Sequence, residues 1–201
     1  MVEVGKKAPT FNLKGFHEGE FGEFSLEEFK GKWVVLFFYP GDFTFVWATE
    51  VSAVADRYNE FKDVDAEVLT ISVYSSFVHK IWNDNELIIM GKESVPFPML
   101  SDQSGKVGKD YGVYSEEENI EMRGRFIIDP DGNLQSYEVL SAPVGRNISE
   151  IIRQIKAFQL VNASGGKKAT PSDWEPGKKT LTPGESLVGN VWKEWNVDDN
   201  K

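Results

Sequence analysis

The sequence predicts an α/β fold in which helices cover both faces of a central sheet. Two continuous apolar runs, at residues 33–39 and 66–73, have the composition of strands that are buried on both sides. A stretch with apolar residues at helical spacing follows each run, so strands and helices alternate in the first half of the chain. The second half contains two strands joined by a tight turn and then one more helix. The summed order is βαβ followed by ββα.

The first half predicts a parallel βαβ unit. Residues 33–39 read Trp-Val-Val-Leu-Phe-Phe-Tyr, and we expect them to form the central strand. Apolar residues then recur at helical spacing from Trp47 to Phe61, with charged residues between them, which predicts a helix with one buried face. A second buried strand is expected over residues 66–73 and a second helix over residues 77–90. Crossovers between parallel strands are almost always right-handed.

The second half predicts antiparallel strands. A short strand is expected over residues 97–100, and an Asp-Gly turn joins strands over residues 123–129 and 134–140. Asn147 can cap a final helix. With an N-terminal hairpin over residues 10–25, the order of elements is that of a thioredoxin-like α/β sandwich. The apolar positions of the final helix are Ile151, Ile152, Ile155, Phe158 and Val161.

The chain is expected to comprise a thioredoxin-like domain over residues 1–163 and an extended C-terminal arm over residues 164–201. The arm is polar and is interrupted by glycine and proline, so it has no regular pattern. It nevertheless holds Trp174, Trp192 and Trp195, and clustered tryptophans usually mark a contact surface. A second copy of the chain is the expected partner.

The composition excludes several classes of function. The 201 residues contain 22 Lys and Arg against 32 Asp and Glu, a net charge of −10, whereas nucleic-acid binding depends on clustered basic residues. Without an apolar leader or a run of about 20 apolar residues, the chain is expected to be cytoplasmic and to have no membrane partner. The absence of cysteine excludes thiol nucleophiles, disulfides and cysteine-bound metals. With only His17 and His79, no metal site or cofactor is expected.

The loop after the central strand has the features of an anion site. Residues 40–44 connect the predicted strand to the N-terminus of the predicted helix, where unpaired N–H groups and the helix dipole favour negative charge. A thiolate at this place would have a lowered pKa.

The residues around this loop form a longer pattern. Residues 38–50 read Phe-Tyr-Pro-x-Asp-Phe-Thr-Phe-Val, then two further residues and Thr-Glu. This segment resembles the active-site segment of the peroxiredoxins, close to the alkyl hydroperoxide reductase and typical two-cysteine groups. The resemblance covers residues 3–195, because five further segments follow in that family's order and spacing. They are Ser72-Val73-x-Ser75-x-Phe77-x-His79-x-x-Trp82, Pro96-Phe97-Pro98-x-Leu100-x-Asp102, Tyr111-Gly112-Val113, Arg123-Gly124-x-Phe126-Ile127-Ile128-Asp129 and Pro143-Val144-Gly145-Arg146-Asn147.

The resemblance implies a thiol peroxidase that reduces hydrogen peroxide and alkyl hydroperoxides. In that family a cysteine thiolate attacks the peroxide O–O bond and becomes sulfenic acid. The position of this cysteine is Trp47 here, and the proline that usually follows it is Ala48. Thr44 and Arg123 match the residues that polarise the peroxide oxygens, and Pro40 matches the residue that shields the pocket from water.

The same resemblance assigns roles to three residues outside the peroxide pocket. Glu50 and Arg146 match the residues that hold the catalytic arginine in place. The resolving cysteine of two-cysteine members corresponds to Thr170, so both redox cysteines are missing. A parent that never had a resolving cysteine would look the same at Thr170 and could use an external thiol as its reductant.

An indole cannot act as the nucleophile, so the resemblance implies that the chain as written is inactive. Two interpretations remain open: a peroxiredoxin that is substituted at Trp47, which we favour, and a noncatalytic ring scaffold or holdase chaperone. The family further implies a homodimer, built from strand 134–140 and the C-terminal arm, and a decameric ring. Tyr74 lies in the segment that resembles the ring contact, where related sequences commonly carry a small acidic residue.

Further expectations concern the surroundings of Trp47. Because an indole is much bulkier than a thiol, overpacking predicts that the turn at residues 45–49 unwinds and that Trp47 leaves the pocket. An exposed Trp47 either weakens the ring contact by a clash or strengthens it by filling a gap, and we favour weakening. His79 is expected to be a packed or capping histidine and not a ligand or base. Phe43 and Phe45 are the aromatic residues expected at a pocket wall or an interface.

Overall fold

A computed structural model of the chain describes residues 2–199. Residues 1, 200 and 201, at the outer ends of the two predicted domains, lie outside the described residues. The chain divides into two compact units, Met1–Ile148 and Ser149–Lys201. The predicted domain boundary between residues 163 and 164 stays a prediction. Within residues 2–199, no helix is long and apolar enough to cross a membrane.

A seven-stranded mixed sheet organises the first unit, in the order β2-β1-β5-β4-β3-β8-β9, and β6 and β7 form a separate hairpin. The strands are β1 (Asn12–His17), β2 (Glu20–Ser25), β3 (Trp33–Phe38), β4 (Ala66–Ser72), β5 (Met99–Ser101), β6 (Tyr114–Ser115), β7 (Ile120–Glu121), β8 (Arg123–Ile128) and β9 (Leu134–Leu140). The helices are α1 (Phe45–Asp56), α2 (Tyr58–Lys62), α3 (Ser76–Trp82), α4 (Ile88–Gly91), α5 (Lys106–Tyr111) and α6 (Ile148–Ala163). Short 3-10 helices occupy Leu26–Phe29, Glu185–Leu187 and Val191–Lys193.

The predicted central position of residues 33–39 is confirmed. β3 lies inside the sheet, parallel to β4 and antiparallel to β8, and all of its residues are buried. α1 connects β3 to β4, and Trp47 lies in its first turn as predicted. β8 and β9 form the expected antiparallel pair, with β9 at one edge of the sheet. This arrangement is the α/β thioredoxin-like fold that the order of elements predicts.

The helix expected over residues 47–61 is divided in two. The division falls at Arg57, whose φ of −105° and ψ of 14° lie outside helical geometry. Val54 in α1 and Phe61 in α2 are both buried, and their separation equals about two helical turns. The apolar spacing therefore continues across the break, which is why the sequence pattern does not reveal it.

The helix expected over residues 77–90 is also irregular. A π-helical turn, Asn83–Leu87, separates α3 from α4. The buried Asn83 amide binds the Ser94 hydroxyl at 2.8 Å and accepts a hydrogen bond from the Val95 backbone N–H at 2.9 Å. These contacts satisfy a polar side chain on the inner face of an otherwise apolar helix.

The second unit contains α6 from Ser149 onward and the C-terminal arm. Within it, the indole Nε1 of the buried Trp174 donates to the Lys178 carbonyl oxygen at 3.1 Å. Arg153 of α6 donates to the Trp174 carbonyl oxygen at 2.7 Å. Trp192, in contrast, is 71% exposed. The expectation that the arm packs on a second copy of the chain stays a prediction.

Candidate active site

The loop between β3 and α1 holds two of the predicted site residues. Pro40 is half-buried, and Thr44 is the N-cap residue of α1, with extended backbone angles of −93° and 145°. The Thr44 hydroxyl donates to the Gly41 carbonyl oxygen at 2.7 Å and does not cap the helix. The first N–H groups of α1 thus receive no side-chain cap, which leaves a positively polarised helix end.

Trp47 is fully buried in the first turn of α1. Its indole stacks on the ring of Tyr39, with centroids 4.3 Å apart and planes inclined by 16°. The Phe37 ring centroid lies 6.2 Å from the indole on a tilted plane. The prediction that residues 45–49 unwind and release Trp47 is therefore wrong.

The aromatic surroundings of Trp47 explain why the helical turn persists. Truncating a buried tryptophan to alanine costs about 3–5 kcal/mol, which measures what its burial contributes. The indole Nε1 has no hydrogen-bond partner among the described residues. An unsatisfied buried donor costs about 1–3 kcal/mol, so burial of the ring outweighs this penalty.

Glu50 lies one turn further along α1 and joins two buried arginines. Arg123 Nη1 pairs with Glu50 Oε2. Arg146 donates to Oε1 from its side-chain Nε at 2.9 Å and from its backbone N–H at 2.6 Å. None of the three side chains is more than 4% exposed. With two guanidinium groups and one carboxylate, this arginine cluster is net positive and stabilises a nearby anion.

Backbone carbonyl groups fix the orientation of both arginines. Arg123 donates from Nε and Nη2 to the Ala142 carbonyl oxygen, at 3.2 and 2.8 Å. Arg146 donates from Nη1 to the carbonyl oxygens of Phe38 and Gly124, at 3.2 and 2.6 Å. Burial lowers the pKa of Arg146, and the neighbouring carboxylate opposes this shift.

The guanidinium group of Arg146 connects the arginine cluster to position 47. Its Cζ atom lies 4.9 Å from the ring centroids of both Trp47 and Phe37. Because Arg146 also binds Glu50, the side chain at position 47 is in direct contact with the arginine cluster. Thr170 belongs to the second unit, and its role as the resolving position stays a prediction.

A second buried polar group was not predicted from the sequence. The Asp42 carboxylate accepts a hydrogen bond from the Tyr39 hydroxyl at 2.7 Å and lies 2.7 Å from His79 Nδ1. We call these three buried side chains the buried triad. Burial, and then the charge of Asp42, raise the pKa of Tyr39 well above its usual value. His79 is packed, as predicted, but no sequence pattern indicated its contact with Asp42.

Aromatic side chains are exposed beside the loop. Phe43 is 49% exposed and Phe45 is 94% exposed. Tyr74 lies directly over Gly41, because a Cβ atom added to Gly41 would be 2.3 Å from Tyr74 Cε2. Phe77, at the start of α3, is 68% exposed. Within residues 2–199, no group of three His, Asp or Glu side chains could hold a metal ion.

Two protein families together match most of the chain. The AhpC/TSA family matches residues 4–137, and the C-terminal domain of 1-Cys peroxiredoxin matches residues 157–194. The chain belongs to the peroxiredoxins of the AhpC/TSA family. The resemblance that the sequence showed is thereby confirmed.

The relatives of this peroxiredoxin are similar over nearly its whole length. The selenocysteine-containing peroxiredoxin PrxU of Peptoclostridium acidaminophilum is 63% identical over 199 residues, which cover 99% of this chain and 98% of that protein. Peroxiredoxin prdx-2 of Caenorhabditis elegans is 43% identical, with 90% of this chain and 89% of that protein covered.

Solved peroxiredoxin structures confirm the thioredoxin-like peroxiredoxin fold. The reduced 2-Cys peroxiredoxin of Plasmodium vivax superimposes with a TM-score of 0.88 at 32% identity, covering 96% of this chain and all of that one. AhpC of Enterococcus faecalis gives a TM-score of 0.78 at 36% identity, covering 85% of this chain and all of that one. This peroxiredoxin contains no cysteine, and Trp47 stands where the resemblance expects the peroxidatic cysteine.

Proposed function

We propose that this peroxiredoxin is a peroxide-reducing enzyme whose reacting residue occupies position 47. The observation that supports this most is the arginine cluster of Glu50, Arg123 and Arg146, which is fully formed although position 47 holds tryptophan. Its positive charge and the uncapped start of α1 favour an anionic nucleophile at this place. Hydrogen peroxide and alkyl hydroperoxides are the proposed substrates, and the cytoplasm is the proposed location.

The proposed reaction is nucleophilic attack on the peroxide O–O bond. A thiolate or selenolate at position 47 forms a bond to one oxygen, and the O–O bond breaks. The other oxygen leaves with the electron pair and takes up a proton, giving water or an alcohol. Arg123 stabilises the developing charge, the Thr44 hydroxyl orients the peroxide, and Pro40 excludes water. An indole cannot take this role, so the chain with Trp47 is proposed to be inactive.

We infer that the reacting residue of the functional enzyme is selenocysteine. The 63% identical relative is named a selenocysteine-containing peroxiredoxin, and this chain has no cysteine at any position. Selenocysteine is specified by the codon UGA, which some genetic codes read as tryptophan. A UGA codon at position 47 would therefore account for Trp47. The unpartnered Nε1 of Trp47 also fits a pocket that was not built for an indole.

The codon for residue 47 tests the selenocysteine inference directly. We expect UGA, together with selenium in the corresponding peptide of the protein isolated from its own source. A UGG codon, or a tryptophan at this position in the isolated protein, would contradict selenocysteine.

Peroxidase activity is tested separately with variants at position 47. The unmodified chain is expected to show no turnover above a buffer blank, whereas Trp47→Cys is expected to reduce hydrogen peroxide. Trp47→Ser is the matched control, because it opens the same space without a thiol. Equal activity of the Cys and Ser variants would overturn the proposed function.

The proposed reductant is an external thiol. Thr170 stands at the resolving position and cannot form a disulfide with the nucleophile. The match of residues 157–194 to the C-terminal domain of 1-Cys peroxiredoxin agrees with this proposal. The Trp47→Cys variant is expected to reduce peroxide repeatedly only when a small thiol or a thioredoxin-like donor is added.

The proposed assembly is a homodimer that can form a decameric ring. β9 has a free edge within the described sheet, and Tyr137 and Val139 on it are 46% and 41% exposed. This edge suits pairing with a second copy. The exposed side chain of Phe77 supports a further contact between dimers. Nucleic acid and membranes are not among the proposed partners.

A noncatalytic ring scaffold or holdase chaperone is the second candidate. The exposed Phe45 and Phe77 favour it, since exposed aromatic side chains can bind unfolded chains. It predicts that the unmodified chain suppresses aggregation of a heated client protein, that Phe45→Ser weakens this effect, and that Trp47→Cys gains no peroxidase activity.

A further inference from the structure

The buried triad links the active-site loop to two neighbouring elements. Asp42 lies in the loop itself, Tyr39 directly follows β3, and His79 lies in α3. His79 Nε2 is 3.2 Å from the carbonyl oxygen of Leu100 in β5. One imidazole ring thus connects the loop to both α3 and β5.

The partners of His79 determine where its hydrogens lie. The Leu100 carbonyl can only accept a hydrogen bond, so Nε2 carries a hydrogen. Nδ1 and Asp42 Oδ2 are 2.7 Å apart, and two bare acceptors would repel each other at this distance. A proton therefore lies between them. Both side chains have no exposed surface, so water cannot replace this contact.

The second carboxylate oxygen of Asp42 carries the connection to position 47. It accepts the hydrogen bond from the Tyr39 hydroxyl, and the Tyr39 ring lies against the side chain of residue 47. If His79 no longer held Asp42, both the loop and the Tyr39 ring would lose the contact that fixes them.

We propose that His79 is a positioning residue for peroxide reduction. Through Asp42 it holds loop residues 40–44 and the Tyr39 ring in place against the reacting residue at position 47. This inference rests on the proposed peroxidase function, since it concerns the same site.

Two substitutions separate the contact with Asp42 from the packing of the ring. An asparagine places its side-chain amide near the Nδ1 position, so His79→Asn retains a donor for Asp42 and loses the Leu100 contact. A glutamine places its amide near the Nε2 position, so His79→Gln retains the Leu100 contact and leaves Oδ2 of Asp42 without its donor. Both variants remove the imidazole ring.

The rate measurement uses both substitutions in the Trp47→Cys background. Leaving Oδ2 of the buried Asp42 carboxylate without a donor is expected to make peroxide reduction by His79→Gln about tenfold or more slower than by His79→Asn. Saturating external thiol is supplied throughout, so that the peroxide step limits the rate. His17→Gln is the control, because His17 contacts the Pro96 carbonyl oxygen and the Phe24 ring, outside the site. Equal rates for the two His79 variants would overturn the proposal.

Amide hydrogen exchange in the unmodified chain provides a readout that does not depend on activity. His79→Gln is expected to accelerate exchange over residues 41–49, whereas His79→Asn leaves this segment protected. If Trp47→Cys is inactive but the exchange difference is present, the proposed function fails and the positioning contact stands. If neither variant changes exchange in this segment, His79 does not hold the loop.

Discussion

The indole of Trp47 lies flat on the phenol ring of Tyr39, with 4.3 Å between the ring centroids. Tyr39 is held in turn by Asp42, so a bulky side chain at position 47 is supported from the core of the first unit. The indole therefore occupies a space with apolar walls on one side and the Arg146 guanidinium on the other. The indole thus packs well in this space, although it provides no nucleophile for peroxide reduction.

Substitutions of Trp47 are expected to differ in their free energy of unfolding, depending on whether they keep an aromatic ring that stacks on Tyr39. Trp47→Ala removes the contacts with Tyr39 and Phe37 and is expected to lower the free energy of unfolding by about 3–5 kcal/mol. Trp47→Phe keeps an aromatic ring and removes the unpartnered Nε1–H, so it is expected to lower the free energy of unfolding by clearly less than Trp47→Ala does. Urea denaturation measures both, with the exposed Trp192→Ala as the control. A Phe variant as unstable as the Ala variant would contradict the role given to stacking.

Arg123 and Arg125 provide a matched pair for the proposed reaction. In the Trp47→Cys background, Arg123→Ala is expected to slow peroxide reduction by about 10²–10³, because an oriented charged donor to the transition state is lost. Arg125 is also buried but donates to the Ser136 hydroxyl at 3.0 Å, away from Glu50. Its Ala variant is expected to affect stability more than rate. The comparison uses stopped-flow kinetics normalised to the folded fraction from circular dichroism, and equal rate losses would contradict a role for Arg123 at the peroxide.

The order of the elements could be predicted because β3 and β4 are buried on both faces. Burial of this kind requires uninterrupted apolar residues, which are visible in the sequence without any tertiary information. α5 was not predicted, because its six residues are too few for an apolar repeat. Its ends are marked instead by Gly105 and Gly112, which adopt positive φ angles of 66° and 74°.

The site could be predicted only in part. The motif around the loop identified Thr44, Trp47 and Glu50, since these residues are close in the chain. The contact between Asp42 and His79 spans 37 residues and follows no local spacing, so it required the structure. The prediction that the turn around Trp47 unwinds was wrong, because the indole packs on the rings of Tyr39 and Phe37. β3 and the residue after it contribute these rings, and their contact with α1 also required the structure.

Glu121 gives the first unit a stability that depends on pH. Its carboxyl group is fully buried beside the carboxylate of Asp102. Burial and the charge of Asp102 raise its pKa well above the usual value of 4.5. The folded state therefore retains a proton that the unfolded state releases above that pH. The stabilising contribution is complete below about pH 4.5 and is lost as the pH rises towards the folded-state pKa.

Glu121→Gln is expected to remove this dependence, because an amide keeps the size of the side chain without a proton to lose. Relative to the unmodified chain, its free energy of unfolding should rise with pH, by up to about 1.4 kcal/mol per unit between the two pKa values. Denaturation at pH 5 and pH 8 tests this, with the exposed Glu118→Gln as the control. A difference that is the same at both pH values would show that Glu121 is ionised in the folded protein.

Tyr74, and not Trp47, is the residue that we expect to alter assembly, because α1 keeps its first turn around Trp47. A Cβ atom on Gly41 would lie 2.3 Å from Tyr74 Cε2, so Gly41→Ala must push the Tyr74 ring off the loop and towards the surface. Gly41→Ala is expected to shift the particle mass towards dimers, since a displaced ring would clash with a neighbouring dimer. Adding Tyr74→Ser to Gly41→Ala is expected to reverse the shift, because the smaller side chain no longer meets the added methyl group.

Light scattering across the micromolar range measures the particle masses of both variants, of Trp47→Cys and of the unmodified chain. A shift caused by Trp47→Cys but not by Gly41→Ala would place the control of assembly at position 47 instead.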